Sequence, residues 1–163
     1  MLSPKVTATV LYIKPSLNHL TTTYQRKLNY VTSLEYNSRG ICAEVIFDIV
    51  GDIIKKIEAL KMLNNVIDTA YSMLNSDQQK IIKTIFYKKI PIKESKQLLS
   101  KNRYEYDVMI KNVFNKMRTY IYLLGFTDEM IIKHFDSEPL FLEMASKVNR
   151  RFNKEQCDGN KCD

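Results

Sequence analysis

Eleven basic side chains crowd into one stretch of this chain. Lys80, Lys83, Lys88, Lys89, Lys93, Lys96, Lys101, Arg103, Lys111, Lys116 and Arg118 all fall within residues 77–118, against four acidic residues. Cations at this density draw a polyanion, and lysine and arginine bond phosphate oxygens directly. The 163-residue chain has a net charge of +7, and this one segment carries a surplus of that size. The flanking residues 1–76 and 119–163 are close to balance. Nucleic acid is the first partner these residues suggest. A lysine-rich solvated surface is the alternative reading of the same charge.

Other chemistry finds little material. His19 and His134 fall in unrelated segments, so neither a metal site nor a nucleophile–histidine pair has support. Four scattered glycines cannot build a phosphate-cradling loop. Glu44, Asp48 and Asp52 recur at i, i+4 and i+8, which sets three carboxylates on one helix face. With Lys55 and Lys56 following and no histidine nearby, an exposed salt-bridged face is the reading, not a divalent-cation site. The tail CDGNKCD holds Cys157 and Cys162 but no second pair to complete a zinc site, and reads as flexible and polar. No catalytic group, metal or cofactor is expected, and the chain is not read as an enzyme.

The elements that position the basic stretch are helical. Four glycines and four prolines are too few for an all-β chain of this length. The fold class expected is mainly α, a helical bundle. Residues 1–40 are read as an N-terminal arm, with VTATVLYI alternating weakly enough for a strand and HLTTTYQRKLNYVTSLEY suiting a short helix. NSRG at 37–40 breaks the pattern. From 41 to 75 one long helix is expected, with Ile46, Val50, Ile53, Ile57, Leu60, Asn64, Ile67, Tyr71 and Leu74 stepping by four and three. Val45, Ile49, Ile54, Leu63, Val66 and Ala70 widen this apolar face beyond a coiled-coil seam. Packing inside a bundle is favoured, with a homodimer through residues 46–74 as the rival.

Two breaks then fall close together. Ser76 with Gln79 three residues later has the capping-box pattern, placing a helix start at Asp77 with Ile81, Ile82, Ile85 and Phe86 facing inward. YKKIP ends that helix, and Pro91 suits the start of a short second one to Leu99, held by Ile92, Leu98 and Leu99. Asn102 with Glu105 caps a third helix from Arg103. Its inner face is Tyr106, Ile110, Val113, Met117 and Ile121, and its outer face Tyr104, Val108, Lys111, Asn115 and Arg118. Gly125 is placed to end it. Residues 76–125 thus form a helix-turn-helix, and 126–163 two further short helices and the tail. A basic third helix in this arrangement lies in the DNA major groove.

The segments LNSDQQKIIKTIFY, IPIKES, LLSKNR and YEYDVMIKNVFNKM resemble the fourth conserved region of bacterial sigma factors. They are most similar to the sigma-like late-gene regulators of phages and prophages, the RinA/ArpU type, and the likeness covers about residues 38–121. It implies a sequence-specific transcription regulator acting on phage or prophage promoters, with double-stranded DNA and RNA polymerase as partners. It also implies that Arg103 and Tyr104 approach base edges, with Lys111 and Asn112 one or two turns on, while Lys88, Lys89, Lys93 and Lys96 meet phosphates. Lys101, Asp107 and Arg118 complete the expected DNA-contacting set. Asp107 can accept from a cytosine amino group, though a solvated or arginine-paired carboxylate is the plainer reading. Ser95 and Lys96 depart from the pattern, where an aliphatic residue and alanine are usual, which predicts looser packing of the second helix. Lys101 replaces an apolar turn residue.

Three thiols make an odd count, which argues against a disulfide-stapled secreted fold. The first residues lack the form of a signal peptide, and no window reaches the ~20 apolar residues of a membrane span. A cytoplasmic location without membrane contact is expected. The two rival functions are a helical protein-interaction module built on residues 42–74 and a nucleic-acid binder without sequence preference.

Overall fold

A computed structural model describes residues 1–35, 43–98 and 103–159. Among them the chain is mainly helical and contains no strand. The elements are α1 (Pro4–Ile13), a 3-10 turn (Lys14–Ser16), α2 (Leu17–Glu35), α3 (Ala43–Ser72), α4 (Ser76–Ile82) running on into a π-helical turn (Lys83–Tyr87), α5 (Ile92–Leu98), α6 (Arg103–Leu123), α7 (Asp128–Phe135) and α8 (Pro139–Gly159). No helix is long and apolar enough to cross a membrane, among the described residues.

The chain divides into two compact units. One joins Met1–Lys14 to Val66–Asp163, and the other is Pro15–Asn65. The expected N-terminal arm is therefore two helices, and the first belongs to the unit that holds the basic stretch. Ser3 starts α1 by accepting from the Val6 N–H at 3.3 Å, with Pro4 at the first helical position. The β-branched run VTATV suggested a strand, but Thr7 and Thr9 donate their hydroxyls to Ser3 O and Lys5 O at 2.9 and 2.8 Å. With their polar groups satisfied inside the helix, Thr7 and Thr9 are buried with Ala8, Val10, Leu11 and Ile13. A helix buried nearly all round shows no amphipathic period, which is why the sequence pattern misleads here.

In the same unit α1 packs mainly on α8, and also on the π-helical turn and α6. Its entry is tied down twice. Arg118 donates Nε and Nη2 to Leu2 O at 3.0 and 2.7 Å, and both Asp128 carboxylate oxygens accept from the Ser3 N–H at 3.0 Å. Charge-assisted bonds of this kind are among the stronger ones available. The C-terminal pair of short helices expected from the sequence is one short helix, capped by Thr127, and one long one, since α8 continues through Gly159. Cys157 thus falls in a helix, and the last four residues of the tail lie outside the described residues.

In the unit 15–65, α3 buries Ile46, Ile53, Ile57, Ala59, Leu60 and Leu63, and α2 buries Leu17. Lys56 links the two helices, its Nζ 3.5 Å from Tyr24 Oη and 5.5 Å from the ring centroid. Asp52 pairs with Lys55 at 3.7 Å, so this carboxylate lies on a salt-bridged face. The predicted seam of α3 is largely buried within one chain, Ile67 and Leu74 included, with Val50, Asn64 and Tyr71 half-buried.

Candidate nucleic-acid interface

Three helices carry the basic stretch, and local chemistry sets their ends. Asn75, not Ser76, is the N-cap of α4: its side chain accepts from the Gln78 N–H at 2.9 Å, and Gln78 Oε1 accepts from the Asn75 N–H at 3.2 Å. The box sits one residue earlier than the sequence reading. Gln79 is freed for another task, donating Nε2 to Tyr71 O and Leu74 O at 3.2 and 3.0 Å where α3 ends. Ile81, Ile82, Ile85 and Phe86 are buried as expected. The helix closes on a π-turn, Lys88 N–H donating to Lys83 O and Ile90 N–H to Thr84 O, at 2.9 and 3.1 Å. Lys89 takes a left-handed backbone there, at φ +56°. For a lysine that conformation is strained by about 1–2 kcal/mol.

The second helix, α5, corrects another expectation. Ile92 is 43% exposed and is no core contact, whereas Ser95 is fully buried. Leu98 and Leu99 lie outside the described side chains. Ser95 Oγ donates to Ile92 O at 2.8 Å and accepts from Tyr106 Oη of α6 at 2.7 Å. The departure from an aliphatic residue is therefore matched by a tyrosine that reaches it, and this buried chain of bonds joins the two helices of the turn. Burial holds the Tyr106 phenol above its ordinary range, opposed by the Ser95 bond and reinforced by Asp107.

The third helix starts at Arg103 and ends as expected. Gly125, at φ +93°, gives its N–H to Tyr122 O and lets Phe126 N–H reach Ile121 O, at 3.0 and 3.2 Å. These are the two bonds of a Schellman cap, with Phe126 and Ile121 both buried beneath it. Tyr106, Val113, Met117 and Ile121 face inward, and Ile110 is half-buried.

What remains outside is a polar strip. Tyr104 is 78% exposed, with Val108, Lys111, Asn112, Asn115 and Lys116 exposed along the same helix. Lys88 and Lys89 are exposed where the first helix ends. Lys101 lies outside the described residues, and the side chains of Lys93, Lys96 and Arg103 are outside them as well. Asp107 is half-buried and engaged within the protein. Arg118, read from the sequence as outward-facing, turns its guanidinium onto Leu2 and Asn115. Gln78, Lys116, Thr119 and Tyr120 were missed as candidates. With Asn112 and Asn115 they line a shallow hollow of about 390 Å³ where α4 meets α6. The i, i+4 spacing of Asn112, Lys116 and Tyr120 was the signal for it.

Among the described residues no group of three or more acidic, histidine or cysteine side chains could hold a metal ion. No family model matches this chain, and no curated protein or solved structure matches it.

Proposed function

We propose that this protein is a sequence-specific, DNA-binding transcription regulator that works by binding, its helix-turn-helix presenting α6 to the major groove. The observation that carries the reading is the exposed strip of Tyr104, Lys111, Asn112, Asn115 and Lys116 on a helix whose opposite face is buried and tied to α5 through Tyr106 and Ser95. A recognition helix needs both halves of that arrangement, a rigid inner face and a polar outer one. Phosphate contacts from Lys88, Lys89 and Lys116 supply affinity, and Arg103, Tyr104, Lys111 and Asn112 supply base reading. The likeness to sigma-type phage regulators supports phage or prophage promoters as the target, RNA polymerase as a further partner and the cytoplasm as the location.

Fluorescence anisotropy on duplexes from the gene's own neighbourhood, beside scrambled duplexes and across a salt series, tests this. One duplex binds tightly. Arg103→Ala relaxes the preference, and Lys88→Ala weakens all duplexes alike while lowering the salt slope by about 1. Equal affinity for every duplex would reduce the protein to a non-specific binder.

A second reading rests on α3. Val45, Phe47 and Ile49 are 50%, 66% and 41% exposed in the unit 15–65, an apolar display that suits a protein partner. Under that reading Phe47→Glu abolishes function, while neutralising Lys88 and Lys89 does nothing.

A further inference from the structure

Behind the helix-turn-helix, α1, the π-turn, α5, α6 and α8 line a half-open pocket of about 500 Å³. Its wall is apolar, and three rings form one side of it. Tyr12 and Phe86 are 5.0 Å apart between centroids, and Phe86 and Phe114 are stacked at 5.8 Å. The exposed face of Ile92 belongs to the same wall. Two cations, Lys89 and Arg151, stand at this wall and are shared with a second hollow of about 280 Å³ that adds Lys147. Among the described residues no carboxylate lines either hollow, although Glu143 is paired with Lys147 and also feels the charge of Lys89. Size and lining fall in the range of ligand sites, mostly apolar with a few fixed polar groups.

Arg151 is held in place by an aromatic neighbour, and Lys89 stands exposed on the turn. Arg151 lies over the Tyr12 ring at 5.5 Å and donates Nη1 to Tyr12 Oη at 3.0 Å. Lys89 is carried by the strained left-handed turn, and such outliers persist where the surroundings demand them. An apolar chamber with positive charge at its edge is complementary to one kind of small molecule.

We infer that this pocket binds a monomeric single-chain amphiphile with an anionic head, the alkyl tail against Phe86, Phe114 and Ile92 and the carboxylate between Lys89 and Arg151. The site belongs to one unit of the fold; Lys89 is shared with the proposed phosphate contacts, so Arg151 and Ile92 are the positions that test it apart from DNA recognition.

Titration calorimetry on the full chain tests it, with decanoate, decanol and inorganic phosphate as probes. Decanoate binds saturably, with Kd on the order of 1 mM or tighter, and decanol and phosphate bind at least about tenfold more weakly. Arg151→Met lowers decanoate affinity by about tenfold, a loss expected of a charge-assisted contact. Ile92→Trp blocks the chamber from its exposed side without disturbing the core, and removes decanoate binding. Decanol binding as tightly as decanoate, phosphate binding as tightly as decanoate, or decanoate binding indifferent to both substitutions would each overturn the inference.

Discussion

Helices α1 and α2 are made of similar material and end in opposite surroundings. Both carry threonines whose hydroxyls donate back one turn, Thr7 and Thr9 in the first, Thr21, Thr22 and Thr23 in the second. In α1 those threonines are buried among Ala8, Val10, Leu11 and Ile13, whereas in α2 Leu17 alone is buried among the described side chains. A hydroxyl satisfied by its own helix no longer decides between core and solvent. The neighbouring apolar residues decide, and α1 has them at almost every remaining position. The unit containing α1 is joined by bonds between distant residues, Ser3 to Asp128, Arg118 to Leu2, Tyr106 to Ser95 and Arg151 to Tyr12.

The largest test of this contrast is a pair of truncations. Leu11→Ala destabilises by about 2–5 kcal/mol, and Leu28→Ala on α2, where the side chain is half-buried, by about 1 kcal/mol or less. Urea denaturation measures both, and equal losses would break the comparison. Hydroxyl removal sharpens it. Ser95→Ala leaves the buried Tyr106 phenol without its acceptor and costs about 1–3 kcal/mol, while Thr22→Ala on exposed α2 is close to neutral. The glycines go in opposite directions. A Cβ at Gly125 or at Gly51 meets nothing within 4 Å, so backbone conformation alone decides. Gly125→Ala, at φ +93°, destabilises by about 1–2 kcal/mol, and Gly51→Ala, inside α3, stabilises by about 1 kcal/mol. Thermal melts separate the signs.

The smallest effect is in pH. Burial, aided by the Asp68 and Tyr71 charges, pushes the Tyr87 phenol well above its ordinary value, and its buried oxygen has no hydrogen-bond partner among the described residues. A raised folded-state pKa stabilises fully below the unfolded value near 10, and that contribution is lost as pH rises beyond it. Wild-type stability therefore falls above about pH 10, and less steeply in Tyr87→Phe. Parallel alkaline unfolding curves for the two would count against a buried phenol.

The legible part of the fold is the part written in local signals. The break at YKKIP and the end of α6 at Gly125 rest on chemistry within a few residues and fall where the sequence placed them, while the Asn102 cap expected before Arg103 lies outside the described residues. The cap of α4 slipped by one residue because Asn75 and Ser76 are both good caps, and only the reach of Gln79 to the end of α3 separates them. The rest depends on partners far along the chain. Nothing near Arg118 announces that its guanidinium meets Leu2, and nothing near Ser95 announces Tyr106. The inner and outer faces of α6 could be read from period alone. Which of its outer side chains is held by the protein itself could not.

The packing of α1 on α8 also sets an order of events in time. Pro4–Ile13 is synthesised early and Pro139–Gly159 late, and at about 5–20 residues per second many seconds pass between them. Through that interval Val10, Leu11 and Ile13 lack the surface that finally covers them. Closing so long a loop is slow as well as late, because its entropy is lost before the contacts repay it. Until the last helix is made, the face of α1 that packs on α8 has no cover.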